Sequence, residues 1–341
     1  MNTYEYSCNA HTLIWTGDAD RKGVRLIATG LLGSIRWWFE VVVRGLGGKA
    51  CDPTVEDNRC PDAGKKRSGE DGHHCVVCEL FGCTGWARKF RFDVLDANGK
   101  HKQDQIKNGD TFKLRFTELR PIAREEWALL DLTLRLIAEY GAIGGKTVYK
   151  PSDEPNRQNA HHHHDYGLTQ ICQRPQVLLN TEDELKHYVI QPRWRKVSHS
   201  YRDNQGCVND FSWASLNNFW CVKGQYLARQ DQKQSSFNTV LGRKPDKSER
   251  ERRGNRIIRW SDLLENPKDK VAQWLAGRQQ ESKKVFSFKS PPRTFGFVKP
   301  DLITFDDMKQ RLRGAWPNLR DEEFLTGATI LDELLKNRSQ S

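Results

Sequence analysis

The apolar residues between positions 4 and 172 fall into six segments of two different periods, and their order leaves few folds open. Residues 4–15 alternate imperfectly and carry Tyr, Thr, Ile and Trp, as a strand does. A turn follows at Thr16-Gly17-Asp18-Ala19-Asp20. Residues 31–46 then bring Leu31, Leu32, Ile35, Trp38, Phe39, Val42 and Val43 onto one helical face, closed by Gly45, Gly47 and Gly48. Residues 86–95 and 111–119 alternate again, through Phe90, Phe92 and Val94 and through Phe112, Leu114 and Phe116. Residues 124–140 return to the helical period with Trp127, Leu130, Leu134, Ile137 and Ala138, and Gly141 stops them. Residues 166–172 form a short last strand.

The expected order is β-α-β-β-α-β, the ferredoxin-like or RRM-like arrangement. Its sheet is a common platform for single-stranded RNA, although the order alone decides no chemistry. The second half is less regular. Residues 185–190 and 211–220 each suit helix or strand, and residues 261–275, 305–312 and 322–335 have helical patterns. Residues 285–298 carry strand-like Phe residues broken by Pro291-Pro292. No repeat of the first half is visible, yet 341 residues suffice for two domains. The expectation is an α+β chain of two ferredoxin-like domains in tandem, residues 1–175 and 176–341, the second a degenerate copy. The first carries a Cys-rich insertion at about 49–80, and the second a basic loop at about 230–256.

Lys and Arg exceed Asp and Glu by 11, which favours a polyanionic partner. No apolar run approaches the roughly 20 residues that span a bilayer, so no membrane partner is expected. The start of the chain lacks a signal peptide's basic and apolar parts, so a cytoplasmic location is expected. Nine cysteines in that setting argue for thiols or metal, not disulfides.

Residues 49–79 are rich in Cys, Asp, Gly and Lys and poor in apolar residues, and would hardly order themselves. Cys75-x₂-Cys78 puts two thiolates on one metal, and Cys51 and Cys60 can complete a structural zinc site. Cys83, His73 and His74 are spare ligands, and free thiols in a loose loop are the plainer alternative.

The helix start at Thr29-Gly30-Leu31-Leu32-Gly33-Ser34-Ile35-Arg36-Trp37-Trp38-Phe39-Glu40 offers backbone N–H groups and a guanidinium to a phosphate, and an indole to a base. The plainer alternative makes both Trp core and pairs Arg36 with an acid. Gly144-Gly145-Lys146-Thr147 resembles the tail of a Walker A loop, but the pattern lacks the first Gly at the required spacing and follows a helix, which excludes an ATPase. A Gly-rich turn with Lys146 and Lys150 still suits an RNA backbone. His161-His162-His163-His164-Asp165 is best taken as a solvated loop. Basic residues interleave with aromatics at 88–92, 193–196 and 243–253, as single-stranded nucleic acid favours.

Taken together, the 33–40 helix, the Glu79-Leu80-Phe81-Gly82-Cys83-Thr84 turn and the glycine-rich stretch 141–146 resemble the RAMP superfamily of CRISPR proteins. Within it they are most similar to the first-numbered subunit of the type III-B (Cmr) effector complex. The resemblance implies two ferredoxin-like domains at the head of the complex, near the 3′ end of the guide RNA. It implies contact with guide RNA, target RNA and other Cmr subunits, and no catalysis. Carried onto this sequence, it assigns RNA contact to Gly33, Ser34, Arg36, Trp37, Gly144, Gly145, Lys146 and Lys150, with Arg44 and Arg88 as weaker choices. A RAMP endoribonuclease that processes CRISPR RNA is the alternative. It needs a general base, and His11, His161, His162, His163, His164, His187 and His199 are available.

Overall fold

The computed structural model describes residues 2–17, 23–53, 55–56, 58–62, 64, 67, 69–144, 151–157, 163–177, 180–202, 208–245, 263–277 and 283–336. Gly145, Lys146, Lys150, His161, His162 and residues 246–256 of the expected basic loop lie outside them.

The chain forms two compact units that interleave in sequence. The first comprises Met1–Gly145, Gly167–Asn217 and Gly327–Ser341; the second comprises Lys146–Tyr166 and Asn218–Thr326. The expected boundary at residue 175 therefore falls inside a continuous stretch of the first unit.

In the first unit, β1 (Thr3–Ala10), β2 (Phe90–Asp96), β3 (Thr111–Glu118) and β4 (Thr169–Gln173) form one antiparallel sheet in the order β2-β3-β1-β4. The alternation that marks these strands in the sequence is an alternation of burial. Tyr6, Cys8 and Ala10 on β1 and Phe112, Leu114 and Phe116 on β3 all point into the core. The helices α1 (Ala28–Gly45) and α3 (Arg124–Tyr140) pack together, and Tyr6 reaches from the sheet to donate to Asp131 on α3 at 3.1 Å. The chain enters α1 over Thr16, whose hydroxyl accepts the Ile27 N–H at 2.8 Å and donates to the Arg25 carbonyl at 3.2 Å.

Three further elements belong to this unit: α4 (Glu182–Val189), the hairpin β5 (Ser200–Arg202) with β6 (Val208–Asp210), and α2 (Val76–Phe81). The ambiguous segment at 185–190 is thus helical, started by a capping box at Thr181 and Glu184. The helix α2 was not expected within the polar insertion. Its Val76, Val77, Leu80 and Phe81 are buried, and the Phe81 ring meets Phe39 of α1 at 5.1 Å and Phe90 of β2 at 5.6 Å. The end of the insertion is therefore core, because four apolar residues sit together in an otherwise polar run.

Gly167 joins the start of β4 to both neighbouring segments. Its N–H donates to the Leu13 carbonyl at 2.9 Å, and its own carbonyl accepts the Ile143 N–H at 2.8 Å. Its φ is +82°, and a Cβ there would lie 1.9 Å from the Ile143 carbonyl oxygen. Gly167→Ala therefore combines left-handed strain with a backbone clash. The expected loss is at least about 1–3 kcal/mol, read as a lower urea midpoint at an unchanged m-value.

The second unit repeats the strand order. Strands β7 (Phe219–Lys223), β8 (Val285–Lys289), β9 (Pro292–Phe297) and β10 (Phe324–Thr326) pair antiparallel as β10-β7-β9-β8. In both sheets the fourth strand of the set lies beside the first, followed by the third and the second. Helices α5 (Ser236–Val240), α6 (Lys270–Ala276) and α7 (Phe305–Arg313) complete the unit, with Trp220, Phe237, Leu275, Met308 and Phe324 in one apolar core. Pro291-Pro292 turns the β8–β9 hairpin instead of breaking it, since a Pro at the first position of a strand costs no ladder bond. Residues 322–335 are not one helix: β10 precedes α8 (Gly327–Lys336). The 163–165 segment also differs from a solvated loop. His163 is buried, and the Asp165 carboxylate accepts the N–H groups of Lys289 and Ser290 at 2.7 and 3.1 Å. Among the described residues no helix is long and apolar enough to cross a membrane.

Candidate metal centre and nucleic-acid interface

The insertion is organised around sulfur. The Sγ atoms of Cys51, Cys60, Cys75 and Cys78 all lie within 4.8 Å of one another, and all four residues are buried. Cys75 and Cys78 fall at the start of α2, where the x₂ spacing turns both thiols toward one point, while Cys51 and Cys60 come from the preceding loop. The Sγ atoms of Cys51 and Cys78 are 3.5 Å apart. A tetrahedral Zn–S₄ centre with bonds of about 2.3 Å has edges of about 3.8 Å, so the donor set fits zinc in number, type and spacing. Hydrogen bonds from Cys51, Cys60 and Cys78 pull the Cys75 thiol well below its ordinary value despite its burial. The spare ligands do not join the set. The His73 and His74 Nδ1 atoms bond to each other at 2.8 Å, and His74 Nε2 bonds Glu79 at 2.6 Å.

Four thiolates around a divalent cation carry a net charge of minus two, and two arginines meet it. Arg36 approaches Cys78 Sγ at 3.2 Å and Cys51 Sγ at 3.6 Å. Arg195 reaches Cys60 Sγ at 3.6 Å and also donates to the carbonyls of Asn58 and Arg59. The loop is further tied down where Asn58 donates to the Ser198 carbonyl at 2.8 Å and the Arg195 N–H donates to the His74 carbonyl at 2.9 Å.

A buried ionic chain joins this centre to the core. Lys89 lies 2.5 Å from Glu79 Oε1 and 2.8 Å from Glu126 Oε2, and the Glu126 carboxylate also accepts the Ala123 N–H at the start of α3. Burial alone would raise the Glu79 pKa, but hydrogen bonds from His74 and Lys89 hold it down at about 2.

The expected RNA-contact residues divide into two groups. Arg36 and Arg44 are engaged within the protein. Besides the two sulfurs, Arg36 donates to Glu40 at 3.1 Å and to the Gly82 carbonyl at 3.1 Å, which leaves one of its five N–H groups. Arg44 is buried, pairs with Glu40 at 3.2 Å and donates to the Ala214 carbonyl at 3.1 Å. Trp38 is core, its indole N–H donating to the Ala142 carbonyl at 2.9 Å. The second group is accessible. Gly33 is exposed, and Ser34, Trp37, Arg88 and Gly144 are half-buried. Gly33 and Ser34 are the sixth and seventh residues of α1, past the free N–H groups of its first turn. The structure brings this second turn and the glycine-rich stretch together, because the Gly144 N–H donates to Ser34 Oγ at 2.9 Å. Only glycine fits at 144, where φ is +116° and a Cβ would lie 2.6 Å from the Trp15 carbonyl oxygen.

Sequence reasoning placed Lys89 and Arg195 in clusters for nucleic acid, whereas they serve the ionic chain and the cysteine centre, and it missed Glu126, Phe211 and Trp213. Phe211 and Trp213 line a cavity of about 310 Å³ together with Trp37, Arg36, Arg44 and Asp52. In the basic and aromatic clusters at 88–92 and 193–196, several members are structural. Lys89 is in the ionic chain, Trp194 is buried with its indole on the Tyr188 carbonyl, and Arg193 stacks over Trp194 at 4.0 Å.

Comparison with known proteins adds one family. Residues 7–149 match the RAMP superfamily. No curated protein matches the sequence. Among solved structures, Cmr1 from Pyrococcus furiosus in its apo form aligns over 99% of this chain and 97% of its own, with 12% identity and a TM-score of 0.41.

Proposed function

We propose, from the match of residues 7–149 to the RAMP superfamily, that this chain is a non-catalytic RNA-binding subunit of a type III-B CRISPR-Cmr effector complex. The shared fourth-first-third-second strand order supports two ferredoxin-like domains. The subunit sits at the head of a cytoplasmic ribonucleoprotein, near the 3′ end of the guide RNA, and touches guide RNA, target RNA and neighbouring Cmr subunits. Zinc in the four-cysteine centre is structural. The observation that carries the RNA reading is the bond between Ser34 and Gly144, which joins two features of the RAMP module on one accessible surface. Trp37, Gly33, Ser34 and Gly144 meet RNA there, and Gly145, Lys146, Lys150 and Arg88 are further RNA contacts. Arg36 and Arg44 act from behind, as struts.

A salt series with labelled single-stranded RNA and the purified full chain tests this. Contact with three to five phosphates gives a log–log slope of about −2 to −3.5, and the RNA stays intact. Salt-insensitive binding, absence of binding, or cutting of the RNA without partners would each overturn the proposal.

A further inference from the structure

We infer that the cavity beside the cysteine centre receives a nucleobase, and that the metal holds the cavity in its receptive shape. The inference rests on the RNA-binding reading above and assigns it a specific pocket in the first unit. The cavity has a volume of about 310 Å³, the scale of a site for a single small ring system and too small for a peptide helix. Its walls carry the rings of Trp37, Phe211 and Trp213, which suits a planar ligand, because every base offers a π-face to an aromatic side chain. A phosphate is a poorer occupant. The two guanidiniums on the wall already face Glu40 and the thiols, so the cavity holds little uncompensated positive charge.

The coupling to the metal runs through two short paths. In the first, Arg36 spans from Cys78 Sγ at 3.2 Å to Glu40 at 3.1 Å, Glu40 holds Arg44 at 3.2 Å, and Arg44 lies 5.0 Å over the Phe211 ring. Arg44 also fixes the Ala214 carbonyl at 3.1 Å, next to Trp213. In the second, Asp52 and Pro53 line the cavity directly after Cys51 in the chain. Loss of the metal thus frees both the polar wall and the rim. Arg36 is a positioning residue in this arrangement.

The test compares a labelled single-stranded RNA with an abasic ribose-phosphate strand of the same length, using the full metal-loaded chain. The base-bearing strand is expected to bind more tightly by roughly 5- to 150-fold, the range of one stacked base. Trp213→Ala removes most of that difference and Trp213→Phe restores most of it. Arg36→Gln keeps the four cysteines, so its metal content stays at one equivalent while the difference between strands shrinks. Equal binding of the two strands, or a difference that Trp213→Ala leaves intact as a protein side chain in the cavity would, overturns the base pocket. A difference unchanged in metal-loaded Arg36→Gln overturns the coupling. Failure of both strands to bind defeats the RNA reading itself, and this inference with it.

Discussion

Removing the metal from the purified chain is expected to release one equivalent per molecule and to unfold the 49–75 segment. Apart from the turn that begins α2, this stretch has little apolar surface to bury, and its backbone is held by the four thiols and by Arg195, Asn58 and His74. Zinc supplies about 10–16 kcal/mol of apparent binding energy to small cysteine-ligated domains, far more than those few hydrogen bonds can. Without it, four buried sulfurs and two arginine side chains lose their common anchor. A chromogenic chelator should count the metal, and hydrogen exchange should show residues 49–75 losing protection while β1 and α3 keep theirs. Cys78→Ser should behave like the stripped protein. The metal should also leave as the pH falls, because protons compete for the thiolates. A metal-free chain with this segment fully protected would contradict the account.

Lys89→Ala is expected to cost about 3–5 kcal/mol, the range for removing one partner of a buried ion pair. Lys89 is the only cation the described residues place between the Glu79 and Glu126 carboxylates, and Glu126 is 1% exposed. Its removal leaves two buried acids facing each other. The pH dependence has a defined sign. In the wild type, Glu79 is held at about 2, below its unfolded value, so its contribution is present above the ordinary carboxylate range and is lost as pH falls toward 2. Burial raises the Glu126 pKa even beside Lys89, and losing the cation raises it further. A carboxyl raised in the folded state favours folding at low pH, so the gap between variant and wild type should narrow from pH 8 to pH 5. Thermal unfolding across that range checks both points. A variant within a degree or two of wild type at pH 8 would rule out the chain as a structural link.

Much of the first sheet was legible because its longer strands bury one face in alternation, most regularly at Phe112, Leu114 and Phe116 of β3. The second sheet was not, although its strand order is the same. Phe219–Lys223 is buried on both faces and shows no alternation, and Phe324–Thr326 is a three-residue strand fused to the following helix. The cysteines were legible as a set because a metal site needs fixed residue types, two of them at short spacing. Their surroundings were not. Arg36 meets Cys78 across 42 positions and Arg195 meets Cys60 across 135, and no local pattern signals such pairs. The same limit hid the partners of Lys89 and the arrival of Phe211 and Trp213 beside Trp37. An arginine at a helix start suits a phosphate by type, and only the fold reveals that thiols and Glu40 occupy most of its donors.

The most direct test of the RNA-subunit reading is ultraviolet crosslinking of guide RNA within an effector complex assembled with this chain, read by mass spectrometry. The account predicts crosslinks on peptides from the first module, at Trp37 or in the 141–150 stretch, close to the 3′ end of the guide. An assembled, guide-bearing complex with no crosslink to this chain, or one that assembles and retains its guide equally well without it, would contradict the account.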